Sequence, residues 1–490
     1  MSKTFESPEA GDSGIVIGGS SFPANWRDIA GWRADGVSFS SPSNEAVKLY
    51  DALLHQAIYH YHDPMLGGFT GTSKSMLAAD PDFAMGNIFT LGMDCFATSP
   101  LKNAEPRKKL IDFSAKAKSD GKLTEYELNH LIAAELMAAE DYWGAMIKFE
   151  EILRQFPRDP YALQMAYFLA LTIGETKRLK DIPSSIVEHY TPSTPFYGHV
   201  FGKLCFGQGE NCEYEAGEIS GRKALDHFPL DNWAHHALAH NFEESGRALQ
   251  GRLFLSNTAR DWTQGTTFSH HIWWHTALFH VQLGEFDAAL DLYDARIGPM
   301  TLKDGGNFPL SDGSSLLMRL HLEGVNIGER AREQATAWTN HNDDFVSLFY
   351  DGHNAFMSLL AGDRMACTTL INNMQEYIKG DRQGWNKDVT ARVGVPLVEG
   401  ITHYMDGEYS SAVQTLAPIM SELQGSIQGS RAQKDIYAQI LLHAAARSGV
   451  SSDLNLAEEI LTNKLKESKL EKHTPLNQRF YERMIAVHQH

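Results

Sequence analysis

The amino-acid sequence predicts an all-α fold, an α-solenoid built from antiparallel helix pairs. Three observations predict it. Apolar residues recur at helical spacing from Ser43 onward, a helical repeat of about 34 residues begins near residue 120, and strand signals are nearly absent. At 490 residues the chain is long enough for several ordinary domains or for one extended solenoid with a continuous core.

The composition is that of a folded acidic protein. Hydrophobic residues make up 43% and charged residues 21% of the chain, which is normal for a globular protein. Acidic residues number 61 against 43 basic ones, a formal net charge of -18. Because such a chain repels phosphate backbones and anionic membrane surfaces, we expect neither nucleic acid nor a membrane as its partner.

Cysteine usage and the N-terminal residues bear on the compartment. The few cysteines are too scattered for a disulfide framework or a structural zinc site, so we expect free thiols at Cys95, Cys205, Cys212 and Cys367. The first residues, MSKTFESPEAGDSG, lack the apolar segment of a signal peptide, and no run of 18 apolar residues occurs. These features predict a cytoplasmic protein.

The chain divides into a lead-in and a helical-repeat body. Residues 1–42 are rich in Gly, Ser and Pro and predict an irregular N-terminal lead-in that packs through Trp26 and Trp32. Ser43 is a candidate N-cap for the helical pattern that follows. Residues 43–490 are therefore predicted to form the repeat solenoid.

The repeat is clearest in the second helix of each unit. That helix needs an aromatic residue, a small residue three positions later, bulky residues, and then a helix-ending residue. Four segments fit all or part of this spacing: Tyr142 with Ala145, Phe149, Ile152 and Pro157; Tyr214 with Gly217, Ala224 and Pro229; Gly284 with Phe286, Ala289 and Tyr293; Gly407 with Tyr409, Ala412 and Leu416.

First helices of the units match as well. Trp273 and Ala277 occupy the bulky and small positions of one such helix, and Phe242 and Gly246 belong to another. The small residue lets two helices approach closely, while the aromatic residue fills the gap to the next unit. This pattern is typical of tetratricopeptide repeats.

Several longer strings are too specific for generic helix packing. They are SNEAVKLYDA, AADPDFAMG, WAHHALAH, HIWWHTAL followed by GEFDAALDLYD, SLLMRLHLEGV, DGHNAFMSL and QKDIYAQILLHAA. Through these strings the sequence, from about Ser43 to the C-terminus, resembles the tetratricopeptide repeat protein 38 family. The resemblance implies an α-helical repeat fold and a cytosolic setting, but no settled molecular activity.

The candidate site residues lie on the predicted first helices, whose groove-facing stripe follows positions i, i+3, i+7 and i+10. The unit that starts at Asn232 places an aromatic residue, two imidazoles and a carboxylate on that stripe, and the next unit adds more. The full set is Trp233, His236, His240 and Glu243; His271, Trp274 and His275; Asp351 and His353; and Asp435, Gln439 and His443.

Two chemistries suit this set. Histidines at i and i+4 with a nearby carboxylate can bind zinc or a similar divalent metal; the ligands would be His236, His240, Glu243, His271 and His275. Alternatively, a carboxylate-oriented histidine acts as a general acid or base on a small molecule. The catalytic set would then be His236, His240, Glu243, His271, His275, Asp351 and His353, with Trp233, Trp274, Asp312, Asp435, Gln439 and His443 binding substrate.

Simpler explanations exist for several of these residues. A single histidine on a helix face is more often structural, bonded to a carbonyl group or to solvent. Asp312, which precedes a predicted helix N-terminus, forms an inner ion pair with Arg319 in the structural interpretation. His60 is expected to end a helix, and His235 and His270 to point away from the groove.

The sequence therefore predicts a tetratricopeptide-fold protein that binds, and chemically transforms, a small molecule on its concave face, as a hydrolase or lyase with or without metal assistance. The alternative is a peptide- or protein-binding scaffold without catalysis. No glycine-rich nucleotide loop or nucleophile elbow is present, so no nucleotide cofactor is expected. The expected partner is a small-molecule ligand, and homo-oligomerisation stays open.

Overall fold

The computed structural model describes residues 22, 24–96, 98–99, 101–102, 104–265 and 268–488. Helices make up 76% of these residues, and no β-strand occurs among them. The prediction of an all-α fold is confirmed. Within the same residues, no helix is both long and apolar enough to cross a membrane. Most of the expected lead-in, residues 1–21, lies outside the described part of the chain.

The first half of the chain contains helices α1 to α14. In chain order they are α1 (Ile29–Ala34), α2 (Asn44–Tyr59), α3 (Gly68–Ala79), α4 (Ala84–Cys95), α5 (Ala104–Asp120), α6 (Glu125–Ala138), α7 (Tyr142–Gln155), α8 (Pro160–Thr172), α9 (Thr176–Ile186), α10 (Tyr197–Glu210), α11 (Tyr214–His227), α12 (Asn232–Glu244), α13 (Ala248–Asn257) and α14 (Ala259–Trp262). Ser43 caps α2 as predicted, since its side chain accepts a hydrogen bond from the Ala46 amide.

The second half contains the remaining helices. They are α15 (Ser269–Leu283), α16 (Phe286–Leu292), α17 (Gly298–Asp304), α18 (Asn307–Leu322), α19 (Arg330–Trp338), α20 (Leu348–Leu360), α21 (Arg364–Lys379), α22 (Trp385–Val389), α23 (Val395–Met405), α24 (Tyr409–Leu416), α25 (Met420–Gly425), α26 (Arg431–Arg447), α27 (Ser451–Glu467) and α28 (Pro475–His488). The four segments with the predicted spacing become α7, α11, α16 and α24.

Consecutive helices form the predicted antiparallel pairs, and the pairs stack. Helices α6 and α7, α10 and α11, α15 and α16, and α23 and α24 pack within their pairs. The first helices then pack in one continuous row, in which α10 contacts α12, α12 contacts α15, α15 contacts α18, and α18 contacts α20. This row positions the candidate site residues beside one another.

The inner face of this row is covered, not open. Helix α2 lies against α8 and α12, α26 lies against α12 and α18, and α28 lies against α15. The candidate site residues on the first helices therefore lie beneath a further layer of helices. The physical reason is that the first helices carry apolar residues on their inner faces too, and burying those residues needs a further layer of helices.

Helices that are remote in sequence also meet and close the structure. The Glu140 side chain, which is 3% exposed, accepts hydrogen bonds from Arg107 at 3.1 Å and from Arg382 at 2.7 Å. Its backbone carbonyl group accepts another from the amide of Trp385. The Lys102 ammonium lies 2.6 Å from Asp344. These contacts tie the segment around α5 to α7 to the segment around α20 to α22.

Close helix approach at small residues yields a stability prediction. A Cβ atom on Gly221 of α11 would lie 2.6 Å from Cγ of Leu238 and 2.7 Å from Sγ of Cys205. Gly221→Ala should therefore lower the free energy of unfolding by about 1–3 kcal/mol, despite the better helix propensity of alanine. Urea unfolding followed by circular dichroism measures the change.

Gly425→Ala is the matched control, because a Cβ atom on this exposed helical residue would meet nothing within 4 Å. It should leave the free energy of unfolding unchanged or slightly increased. Equal stability of the two variants would contradict the packing argument.

Candidate functional site

Four histidines from two neighbouring first helices converge at one point. Helix α12 contributes His236 and His240, and α15 contributes His271 and His275. We call these four residues the histidine cluster. One nitrogen atom of each ring could act as a metal ligand, and these four atoms all lie within 4.8 Å of one another. The Nε2 atoms of His236 and His240 are 2.9 Å apart. Each residue is at most 3% exposed.

The convergence follows from the helix geometry. Residues four apart lie one above the other on a helix face, so each helix presents two imidazoles on the same side. Because α12 and α15 pack directly against each other, the two pairs face across their interface. The ring centroids of His240 and His275 lie 4.3 Å apart, and those of His236 and His271 lie 4.9 Å apart. Four imidazole nitrogens are thus placed where a metal ion could be held.

Carboxylates surround the cluster on its outer side. Both oxygens of Asp312 lie near Nδ1 of His271, at 2.9 and 3.0 Å, and Oε2 of Glu243 lies 3.1 Å from Nδ1 of His275. Oε1 of Glu210 lies 3.9 Å from Nδ1 of His240. These three side chains orient the imidazole rings.

Asp312 differs from its expected place in two ways. It lies within α18, not before a helix N-terminus, and it binds histidines instead of Arg319. Arg319 instead donates hydrogen bonds to neutral oxygens, the carbonyl groups of Ser315 at 3.2 Å and Ala432 at 2.6 Å. His270, expected to point away, lies 3.4 Å from Asp312. The sequence showed the helical periodicity of these residues but not which helices pack against one another.

Burial controls the protonation of this region. It lowers the pKa values of His236, His240 and His275 well below the ordinary value, and mutual repulsion between the rings lowers them further. The rings are therefore neutral and can act as metal ligands. Burial, reinforced by the nearby Glu244, raises the pKa of Glu243 to about 8. Burial likewise raises the pKa of Glu210 to about 7.

Aromatic rings enclose the histidine cluster. Trp274 stacks on His271 with ring centroids 5.1 Å apart, and Trp233 lies 4.9 Å from His236. Phe268 lies 5.0 Å from His236. Both tryptophans are almost completely buried, so in this structure they pack around the imidazoles. Their expected role as walls of an open ligand groove does not fit that position.

A cavity of about 670 Å³ lies beside the cluster, between the first helices and the C-terminal helices. Of the predicted site residues, Glu243, Asp435 and Gln439 line it, together with Glu210, Glu244 and Arg319. Asp435 accepts hydrogen bonds from Gln439 and Lys464. Glu243 belongs to both places, because its carboxyl group contacts His275 and also borders the cavity.

Three predicted site residues lie elsewhere. His353 donates a hydrogen bond from Nδ1 to the Phe349 carbonyl group at 2.7 Å and contacts the Tyr437 hydroxyl at 3.2 Å. Asp351 is buried on the same helix, where burial, followed by the charge of Asp344, raises its pKa. His443 packs against Phe480, and burial lowers the pKa of its imidazole to about 3. These contacts are those of structural residues.

Sequence reasoning missed three polar residues around the site. Glu210 and the fully buried Lys203 both lie on α10, and the Lys203 ammonium sits 3.5 Å above the Trp233 ring. The two residues are seven positions apart and therefore share one face of α10, which is the signal that could have found them. His60 ends α2 as expected, but its ring also stacks on Phe268 at 4.6 Å. No local pattern could have shown that contact.

No protein-family model matches the chain. The human IFIT1 dimer with m7Gppp-AAAA shares 13% identity over 92% of this chain and 96% of that chain, with a TM-score of 0.38. A monomeric mutant of IFIT1 with Gppp-AAAA shares 14% identity over 91% and 95%, with the same TM-score. Similarity at this level transfers no ligand to the present chain.

We expected net acidity to exclude nucleic acid as a partner. That exclusion is withdrawn: both IFIT1 structures are complexes with capped RNA, and an acidic net charge does not by itself exclude such a partner.

The burial of His353 generates a prediction about pH. The imidazole pKa is lowered from 6.5 to about 3 in the folded chain, chiefly by burial. Below pH 6.5 the unfolded chain binds a proton here that the folded chain does not, so stability falls as the pH falls toward 3. In His353→Gln, the slope of unfolding free energy between pH 6 and 4 should be smaller by up to about 1.4 kcal/mol per pH unit.

Urea unfolding at a series of pH values measures both slopes. His189→Gln, at an exposed position, is the control and should keep the wild-type slope. If His353→Gln also keeps it, the buried imidazole does not titrate as described.

Proposed function

We propose that this protein binds a small molecule in the cavity beside the histidine cluster and transforms it by proton transfer. The observation that supports this function is the position of Glu243. Its carboxyl group borders the cavity on one side and lies 3.1 Å from Nδ1 of His275 on the other. A titratable group that connects a ligand-sized cavity with buried imidazoles suits general acid and base chemistry.

The pKa of Glu243 fits that role. At about 8, it lets the carboxyl group populate both protonation states near neutral pH, which an ordinary glutamate does not. The neutral His275 imidazole orients the Glu243 carboxyl group through the contact between them. This pairing favours a hydrolase or lyase reaction in which Glu243 exchanges a proton with the bound molecule.

The cavity has the size and the polar groups needed to orient a ligand. Its volume of about 670 Å³ lies within the range of about 300–1,000 Å³ common for small-molecule sites. Arg319 lines it with a guanidinium that is 3% exposed and whose hydrogen bonds go to neutral oxygens. Its charge also interacts with those of Asp435 and Glu243. A guanidinium at the cavity wall to which no carboxylate of the described residues is hydrogen-bonded favours a ligand with an anionic group, such as a carboxylate.

The covered inner face argues against the alternative of a peptide-binding scaffold. An extended peptide would have to displace α26 or α28, which pack on the first helices.

The proposal also includes the cytoplasmic location, the division at residue 43, and the relation to the tetratricopeptide repeat protein 38 family. The strings WAHHALAH and HIWWHTAL, two of those on which that relation rests, contain the histidine cluster itself.

A ligand screen tests this function. The purified protein is screened by thermal shift against carboxylic acids, amino acids, amines and neutral sugars, and hits are confirmed by calorimetry. We expect hits among molecules with a carboxylate. In Arg319→Gln their affinity should fall about 10–100-fold, which corresponds to the loss of a charge-assisted hydrogen bond.

Arg447→Gln is the matched control, because the Arg447 guanidinium also donates to neutral oxygens, those of Tyr404 and Leu322, but does not line the cavity. It should leave affinity unchanged. Binding that survives Arg319→Gln, or an equal loss in both variants, would contradict the assignment of the cavity.

Glu243→Gln tests the chemistry once a ligand is known. The amide keeps the shape of the side chain but cannot exchange a proton, so turnover should fall about 10²–10⁴-fold while ligand binding persists. Rates and affinity are measured on the same preparation. Unchanged turnover would remove Glu243 from the reaction.

A further inference from the structure

We propose that the histidine cluster binds one divalent transition-metal ion through four imidazole nitrogens, those of His236, His240, His271 and His275. This inference does not depend on what the cavity binds. It rests on the direction of the lone pairs inside the cluster, on its outer carboxylates and on its burial.

Asp312 fixes the tautomer of one ring. Nδ1 of His271 faces both oxygens of Asp312, and Nδ1 of His275 faces Glu243. The Asp312 carboxylate only accepts hydrogen bonds, so Nδ1 of His271 carries the proton. A neutral imidazole has one N–H group, and Nε2 of His271 is therefore left with a bare lone pair. Nε2 of His275 is buried and has no hydrogen-bond partner.

Within the described residues, the rings of His236 and His240 have no carboxylate within hydrogen-bond distance. The Nε2 atoms of His236 and His240 are 2.9 Å apart, so at most one hydrogen bond can form between them. Nδ1 of each of these rings is buried without a hydrogen-bond partner. Protein groups alone thus leave several polar nitrogens unsatisfied in one small volume. Each such group costs about 1–3 kcal/mol when buried.

A metal ion gives the inward-facing nitrogen of each ring a partner. Four nitrogens at about 2.0–2.1 Å from a tetrahedral ion lie about 3.3 Å from one another. The cluster brackets that spacing, since its ligand atoms lie 2.9 Å apart at His236 and His240 and within 4.8 Å overall. We expect small rotations of the side chains to bring all four nitrogens to the required distance.

The outer carboxylates also have the positions expected around a metal site. Histidine ligands commonly donate their second N–H group to a carboxylate, which orients the ring and raises its basicity. Asp312 and Glu243 have that relation to His271 and His275, and Glu210 approaches His240 at 3.9 Å. Carboxyl groups at these positions can supply negative charge that offsets the charge of a divalent ion in a buried site. Glu243, first considered a ligand, is thus an orienting residue.

The donor set also limits the metal. Nitrogen-only ligation suits zinc, copper, iron, cobalt or nickel, whereas calcium and magnesium require oxygen ligands. None of the four cysteines belongs to the cluster, so thiolate chemistry is not involved.

Metal content of the full-length protein tests the proposal. The chain is stripped with a chelator, re-equilibrated with Zn²⁺ or Co²⁺, and measured by mass spectrometry of the bound metal. We expect about one ion per chain, with a visible Co²⁺ absorption typical of nitrogen ligation. His271→Ala should abolish stoichiometric binding, and Asp312→Asn should weaken affinity about 10–100-fold.

His443→Ala is the control, since it truncates a buried histidine outside the cluster. It should retain one ion per chain. If wild-type protein with a native circular dichroism spectrum takes up no stoichiometric metal, or if His443→Ala loses metal as His271→Ala does, the proposal is overturned. If a variant does not fold, the wild-type Co²⁺ spectrum decides, because a spectrum of hydrated Co²⁺ also overturns it. This experiment measures bound metal and not bound small molecule. A negative result would therefore leave the proposed function of the cavity untouched.

Discussion

The direct packing of α12 against α15 is the interaction on which the rest of the site depends. It forces four imidazoles into one apolar environment, where ionised rings would be prohibitively costly. The neighbouring features lower the free-energy cost of burying these imidazoles. Carboxylates bind the outer nitrogens, aromatic rings exclude water, and the C-terminal helices cover the inner face. An ordinary repeat would fill the same interface with leucine and alanine, at no electrostatic cost.

The fold was largely predictable because its signals are local. The position of the small residue in the second helix, as at Gly217 and Ala289, depends only on the neighbouring helix, so the sequence pattern alone indicates the helix pairs. The N-cap at Ser43 is a similar case. What could not be predicted was the covering layer, because the packing of α26 and α28 onto the first helices depends on superhelical curvature, which no local pattern encodes.

The candidate site, like the fold, was predictable only where its signals are local. The i,i+4 spacing placed both histidine pairs on one face, and stacking of adjacent units brought them together. Asp351 and His353 share the same kind of helix face but lie two first helices further along, where they contact a tyrosine and a backbone carbonyl. Partners such as Glu210 come from a preceding unit, and sequence spacing within one helix cannot assign them.

The buried contact at Glu140 has a consequence for the mechanics of the whole chain. An open array of repeats behaves as a one-dimensional system that can fray from either end, since each repeat touches only its neighbours. Here Glu140 bonds to Arg382, which lies far along the sequence, and so joins early and late repeats into a loop. Local opening must then break contacts at both places together. The part of the array between these two residues should therefore unfold as one cooperative unit.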